Sequence, residues 1–297
     1  MSVSHERAPS SQAISLANVP NVTLESDIKP RPAGQYRIVV WTVGSAIEKR
    51  YPEIVGLEAD VIVTARSGNE VRLLKAGRNT HSAMAWVGRH SQRGLGTLSF
   101  DPTFVKLEAG KWDQRLEWIA PIAVSGPVTY NLMAIWALNE RAQVKFKTNP
   151  PSSQPMQMLR LYKKILESPT VIAGDFNNNP VFHRNDPSWD MLELIARFEA
   201  LGFVSAYHAF SGLDHGDPRE QPTRFKPEIA GILESHHTDY CFISSEWLPA
   251  LRDVQVGNPE SWFQNVRAEE HVPVVVDFDL HVLSEIIFAQ KAKMKNS

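Results

Sequence analysis

The chain has 297 residues, with 31 Lys and Arg against 33 Asp and Glu, a formal charge of −2 and 43% hydrophobic residues. That is ordinary globular usage with length for one large domain or two small ones. The charge balance excludes broad electrostatic attraction to a nucleic acid backbone, though not a local basic groove. A lone cysteine, Cys241, excludes an internal disulfide framework and fits a reducing, cytoplasmic setting.

In chain order, residues 1–34 carry Ser, Pro, Asn and charges without an apolar run, and read as a disordered or loosely attached arm lacking a secretory h-region. Tyr36 to Val43 is rich in β-branched and aromatic residues and predicts a buried strand; Ala46 to Leu57 predicts a short helix and Ala59 to Thr64 the next strand, together a crossover unit. Ala83 to Val87 and Leu95 to Phe100 flank a polar, Gly-bounded loop from Gly88 to Gly94. Arg115 to Val124 and Val128 to Trp136 flank the turn at Ser125-Gly-Pro127.

Met156, Leu159, Tyr162, Ile165 and Leu166 fall on one helical face, with Ser152 or Ser153 as cap and Pro155 in the first turn. The strand Thr170 to Ala173 follows. Asp186-Pro187 reads as the cap and first residue of a helix running through Phe198 to Gly202. Strands are expected at Phe203 to Tyr207, Thr238 to Ile243, Asp253 to Val256 and Val272 to Phe278, then a helix from Val282 to Lys293 whose lysines suit a solvated helix end. No apolar run is long enough to span a bilayer. The pattern gives one α/β domain over 35–281, two layered sheets flanked by helices, and a C-terminal helix and basic tail over 282–297. Trp41 and Trp136 lie in the central strands and read as core.

Three segments concentrate polar groups at strand ends. In Val171-Ile-Ala-Gly-Asp-Phe-Asn177, Asp175 and Asn177 alternate with Phe176 and point the same way on an extended chain. A carboxylate beside an amide suits a water, a metal or a phosphate oxygen. An Asx turn after a strand is the plainer alternative. In His237-Thr-Asp-Tyr-Cys241, Asp239 shares a face with His237 and Cys241, and a buried Asp needs partners. In Glu270-His271-Val-Pro273, a carboxylate and a His sit where a loop enters an apolar strand; a His held by a carboxylate is the usual general base, and a satisfied edge His is the commoner finding. His183, His208 and His215 are scattered in loops without zinc-ligand spacing and receive no role.

Taken together and in this order, the segments resemble the endonuclease/exonuclease/phosphatase superfamily over about Tyr36 to Leu280. Gly174-Asp-Phe-Asn177 matches its G-D-F-N signature, Asp239-Tyr240 its D-Y strand, and Glu270-His271-Val-Pro273 stands where S-D-H-x-P is usual. Trp86-Val-Gly88, Arg93-Gly-Leu-Gly96 and Ala134-Ile-Trp136 resemble the middle strands. The resemblance implies a four-layer α/β sandwich, two packed mixed β-sheets flanked by helices, that hydrolyses phosphodiesters or phosphomonoesters with Mg²⁺ or Mn²⁺. It implies that His271 activates water, Asp239 orients that imidazole, Asp175 aligns the nucleophile, and Asn177 binds a phosphate oxygen. Asp175 and Glu270 are the implied metal ligands.

Two positions depart from the pattern. The first strand normally ends W-N and here reads Trp41-Thr42; the second normally ends Q-E and here reads Ala65-Arg66. A guanidinium ~4 Å from Mg²⁺ is repelled by roughly 8 kcal/mol at an effective dielectric of about 20, comparable to the whole binding energy of a micromolar ligand. Either Arg66 swings away while Glu70 or Asp60 substitutes, or Arg66 takes the place of the metal and binds an anionic oxygen directly, with Asn177 and Thr42 beside it. The expected function is a phosphoesterase with a modified or weakened metal site. The alternatives are a non-catalytic member that binds a phosphate-bearing or protein partner, and a metal-independent enzyme acting on a small anionic substrate. Nucleic acid is a possible substrate through Trp86, Arg89, His90 and Arg93 in one loop and Arg224, Phe225 and Lys226 in another, although ordinary solvated loops explain them equally well. Oligomeric state is left open.

Overall fold

Strands buried on both faces read as unbroken apolar runs, and two such runs form the centre of the molecule. β1 (Gln35–Val40) lies between β15 (Val274–Asp279), antiparallel, and β2 (Val61–Ser67), parallel. The computed structural model describes residues 27–137, 153–182, 190–227, 233–263 and 268–296. The expected Asp186-Pro187 helix start and His183 fall outside them. The described helix is Met191–Ala200, and Asp190 caps it by accepting from Glu193 N at 3.1 Å.

The first sheet has the order β13-β15-β1-β2-β4-β3, adding β3 (Ala83–His90), β4 (Arg93–Ser99) and β13 (Leu251–Val256). The second has the order β5-β6-β7-β8-β12-β9: β5 (Phe104–Leu107), β6 (Ile119–Ser125), β7 (Tyr130–Trp136), β8 (Thr170–Asp175), β9 (Phe203–Ser205) and β12 (Asp239–Ser244). A small third sheet joins β10 (Arg224–Pro227) to β11 (Leu233–His236) and β14 (Glu270–His271). One apolar cluster fills the space between the large sheets. A second lies under the helices Gln154–Leu161, Lys163–Leu166 and Met191–Ala200 on the outer face of the second sheet. These are the expected two mixed sheets with flanking helices. Trp41 and Trp136 are both core.

Local differences have local causes. The Gly88–Gly94 loop is a tight hairpin, because β3 and β4 pair as far as His90 and Arg93. β6 starts only at Ile119, after a turn in which Asp113 accepts from Arg115 and Leu116 N bonds to the Asp113 carbonyl. β9 ends at Ser205, and Ala206–Ser211 is a helix instead of more strand. The Met156–Leu166 stripe is core, and its helix breaks at Tyr162, whose hydroxyl accepts from Asp113 N. The C-terminal helix Leu280–Asn296 docks Leu283 and Ile287 into the core, with Trp247 Nε1 donating to Gln290.

Candidate functional site

The strand ends that sequence singled out converge. β8 and β12 pair antiparallel with Asp175 directly opposite Asp239. Gly174, with φ +147, permits the neighbouring strand's approach: a Cβ there would lie 1.8 Å from the Ile135 carbonyl oxygen. β14 pairs with β10, placing His271 opposite Arg224. Trp41 Nε1 donates to the His271 carbonyl at 2.8 Å, fixing that strand against the end of β1.

Asp239 is fully buried and fully partnered. Oδ2 accepts from Thr223 Oγ1 at 2.7 Å and faces His271 Nδ1 at 2.7 Å; Oδ1 accepts from Thr42 Oγ1 at 3.0 Å. Burial pushes its carboxyl up, but the imidazolium and the hydroxyl donors outweigh burial and hold it below the usual carboxylate range. His271 is the counterpart. Burial opposes its charge, yet Asp239, Glu269 and Asp175 win and hold its pKa up at about 10. Its Nε2 is buried without a hydrogen-bond partner among the described residues. Asp175, also buried, is raised to about 7, first by burial and then by the Asp239 charge across the strand pair. Its oxygens accept from Asn177 N at 2.8 Å and Asn177 Nδ2 at 2.9 Å, with Asn177 in a left-handed conformation at φ +47. The Asx turn and the site residue are therefore one object.

Arg66 does not swing away. It sits at a β-bulge of β2 with φ +57 and donates to Glu269 at 2.6 Å. Glu269 also accepts from Arg224 at 2.9 Å and lies 3.9 Å from His271 Nε2. His271 first, and then Arg224, hold the Glu269 carboxyl far below the usual carboxylate range against the opposing effect of burial. Glu270 turns outward to Arg50 at 3.6 Å and does not join Asp175. Asp60 and Glu70, the other carboxylates considered in place of Arg66, are engaged elsewhere, with Arg31 and the Arg37 backbone and with His81. The basic loops are internally paired: Arg89 with Glu117, Arg224 with Glu234 and Glu269, and Arg93 stacked over Trp136.

Sequence reasoning missed Thr223 and Glu269 and weighed Arg224 only as a groove residue. Their signals were faint: a Thr opening the alternating run Arg224-Phe-Lys226, and an acid one place before Glu270. His208 is buried on the helix Ala206–Ser211, not in a loop, and meets His215 and Glu220. His237 packs with Tyr240 instead of sharing the Asp239 face, because β12 begins only at Asp239.

Asp175, Asp239 and His271 offer ligand atoms within 4.8 Å of one another, so a cation has candidate donors. Three carboxylates, Asp175, Asp239 and Glu269, already face three cationic groups, His271, Arg66 and Arg224, and every Asp239 oxygen is engaged. Mg²⁺ needs a near-octahedral set of oxygen ligands. With Arg66 in the cluster and Glu270 outside it, the residues present do not fit Mg²⁺ at the position implied by the resemblance.

No family model and no curated protein matches the chain. Solved structures do. The endonuclease domain of TRAS1, a telomere-specific non-LTR retrotransposon, superposes with a TM-score of 0.58 at 14% identity, covering 83% of this chain and 99% of that one. An AP endonuclease from Archaeoglobus fulgidus gives 0.56 at 15%, covering 82% and 99%. The human Nocturnin catalytic domain gives 0.51 at 16%, covering 88% and 99%. The chain has the fold of the endonuclease/exonuclease/phosphatase proteins. No described helix is long and apolar enough to cross a membrane.

Proposed function

We propose that the protein is a phosphoesterase whose chemistry runs on Asp175, Asp239 and His271, with anion binding by Arg66 and Arg224 in place of a strongly held divalent ion. The observation that carries this reading is the buried His271–Asp239 pair, whose outer nitrogen, Nε2, has no hydrogen-bond partner among the described residues, only the Glu269 carboxylate at 3.9 Å. A purely structural His would be satisfied on both sides. Asp239 fixes the imidazole through Nδ1, leaving Nε2 to exchange a proton with water or a leaving oxygen. The guanidinium forks of Arg66 and Arg224, now shared by Glu269, match the oxygens of a phosphate ester, which would compete with that carboxylate. Asn177 braces Asp175 and keeps an amide near the same oxygens.

The raised pKa of His271 favours a second assignment of the base. A group at about 10 is protonated at neutral pH and donates; Asp175, at about 7, ionises where a base is needed. In that version Asp175 orients and deprotonates water while the imidazolium faces the developing charge. The deciding measurement is hydrolysis of a phosphodiester and a phosphomonoester across pH with Mg²⁺, with Mn²⁺ and with chelator, beside a His271→Ala control. Chelator-tolerant, His271-dependent turnover is expected. A rate that rises through about pH 7 and falls near pH 10 assigns the base to Asp175 and the acid to His271, whereas a rate that rises only near pH 10 assigns the base to His271. Absence of turnover under all three conditions leaves a binding protein.

A further inference from the structure

A second polar cluster lies on the other face of β12, away from Asp239. His208 is buried on the helix Ala206–Ser211. Its Nδ1 meets Ser205 Oγ at 2.8 Å and its Nε2 meets Glu220 Oε1 at 2.8 Å. His215 stacks on it with ring centroids 3.6 Å apart. His208, His215 and Glu220 each offer a ligand atom, all within 4.8 Å of one another. Glu220 is held from both sides, by Gly216 N at 2.6 Å on Oε1 and by Asn179 Nδ2 at 2.9 Å on Oε2.

Two imidazole nitrogens here are buried without a hydrogen-bond partner among the described residues, His215 Nδ1 and His237 Nε2. The His237 ring lies 5.7 Å from that of His208. Its Nδ1 faces the Gln221 carbonyl at 2.8 Å. A carbonyl only accepts, so Nδ1 carries the proton and Nε2 presents a lone pair. Preoriented imidazoles beside a clamped carboxylate are what a borderline transition metal selects, and Ser205 on the outer nitrogen of His208 is the outer partner that fixes a ligating ring. Ser205 is itself buried, so it orients and is not a nucleophile.

We propose that His208, His215 and Glu220 form a Zn²⁺ site, with His237 as the nearest further ligand. The site stands independently of the phosphoesterase reading. Its consequence for that reading is mechanical. Asn179, Gln221 and His237 each lie within a few residues of Asn177, Thr223 and Asp239, so a metal here would brace the three segments that carry the candidate active site.

The test is titration of chelator-treated full-length protein with Zn²⁺, then with Co²⁺ as a spectroscopic probe. One Zn²⁺ per chain is expected, with affinity falling by roughly a hundredfold in His215→Phe, which keeps the ring stack, and by a comparable factor in Glu220→Gln. Binding should survive Asp175→Asn and His271→Gln, which remove donors only from the other cluster. Because His215→Phe could fail to fold, the wild-type Co²⁺ protein supplies a second readout. Two or more hyperfine-shifted imidazole N–H signals support this site. One or none overturns it, since the other cluster holds a single histidine, His271. Absence of binding, or binding lost in Asp175→Asn and kept in His215→Phe, also overturns it.

Discussion

β1 links two buried charged pairs, one near each end of that strand, and they are built differently. Near the start of β1, Arg37 lies opposite Asp277 of β15 and bonds it bidentately, at 2.7 Å through Nε and 2.8 Å through Nη2. Its Nη1 and Nη2 also reach the Leu57 and Lys29 carbonyls, at 2.9 and 3.1 Å. At the far end, beyond Trp41, His271 meets Asp239 at 2.7 Å with equally complete burial, yet among the described residues its Nε2 has no hydrogen bond, only Glu269 at 3.9 Å. A buried ion pair with every guanidinium nitrogen engaged holds structure. One with a ring nitrogen left without a hydrogen bond, beside Asp175, Glu269 and the Arg66 and Arg224 side chains, is held ready for something that is not part of the chain.

The largest expected effect is on the open pair. His271→Ala should lower phosphoester turnover by about 10²–10⁴-fold, the usual range for a positioned proton-transfer group, with far-UV circular dichroism unchanged. Turnover equal to wild type would make the unpartnered nitrogen incidental and the two pairs alike. Arg37→Ala should act in the opposite way. It leaves the Asp277 carboxylate buried and unpaired, for a loss of about 3–5 kcal/mol. At about 2.1 cal/mol/K of unfolding entropy per residue, a chain of 297 residues loses roughly 5–8 °C of Tm for that change. The protein that remains folded should turn over normally. A rate loss exceeding the loss of folded protein would erase the distinction.

How much of this was legible in the sequence follows the same division. The G-D-F-N run, Asp239 and His271 could be read because each is attached to an apolar strand whose period-2 pattern announces its own direction. That attachment fixed the sheets and brought Asp175 opposite Asp239. The rim could not be read this way. Glu269 and Glu270 are adjacent acids, and which one turns inward depends on β14 pairing with β10, a two-residue contact without a hydrophobic pattern. Thr223, Arg224 and the His208–His215–Glu220 cluster are assembled across loops and a six-residue helix, where spacing along the chain says nothing about distance. The Phe203–Tyr207 strand failed for a related reason: β-branched and aromatic residues favour strand locally, but Tyr207 and His208 pack against His237 from a helix.

Asp175 tests how closely its charge is tied to the open pair. Its folded pKa, about 7, lies above the ordinary value of 3.8. A carboxyl raised in this way contributes its full stability at pH below the ordinary value and loses it as pH rises towards 7, because the unfolded chain ionises first. Asp175→Asn removes that loss. The Tm of the variant relative to wild type should therefore improve between about pH 4 and about pH 8. The same change removes one of the charges that keep His271 protonated, so an alkaline limb in the rate profile should move to lower pH. A Tm difference that is flat with pH would show that Asp175 is not buried against Asp239.

The smallest effect is expected at the rim, and it separates anion binding from structure. Arg66 and Glu269 have side chains 31% and 28% exposed, so their ion pair is partly screened by solvent and contributes little to folding. Arg66→Ala should leave Tm within about 2 °C, since such pairs are worth at most about 1 kcal/mol. It also frees Glu269, which then competes with a phosphate ester for Arg224 and faces it as a like charge. The KM for an anionic substrate should rise by about tenfold, or about 1.4 kcal/mol of binding. Raising the salt from about 0.05 to about 0.5 M should narrow the gap between variant and wild type, because the contribution is electrostatic and reaches solvent. The buried pair predicts the reverse: the His271→Ala deficit should not depend on salt. If the Arg66→Ala deficit is also salt-independent, or appears in kcat instead of KM, Arg66 belongs with the buried pair and not with the rim that meets the substrate.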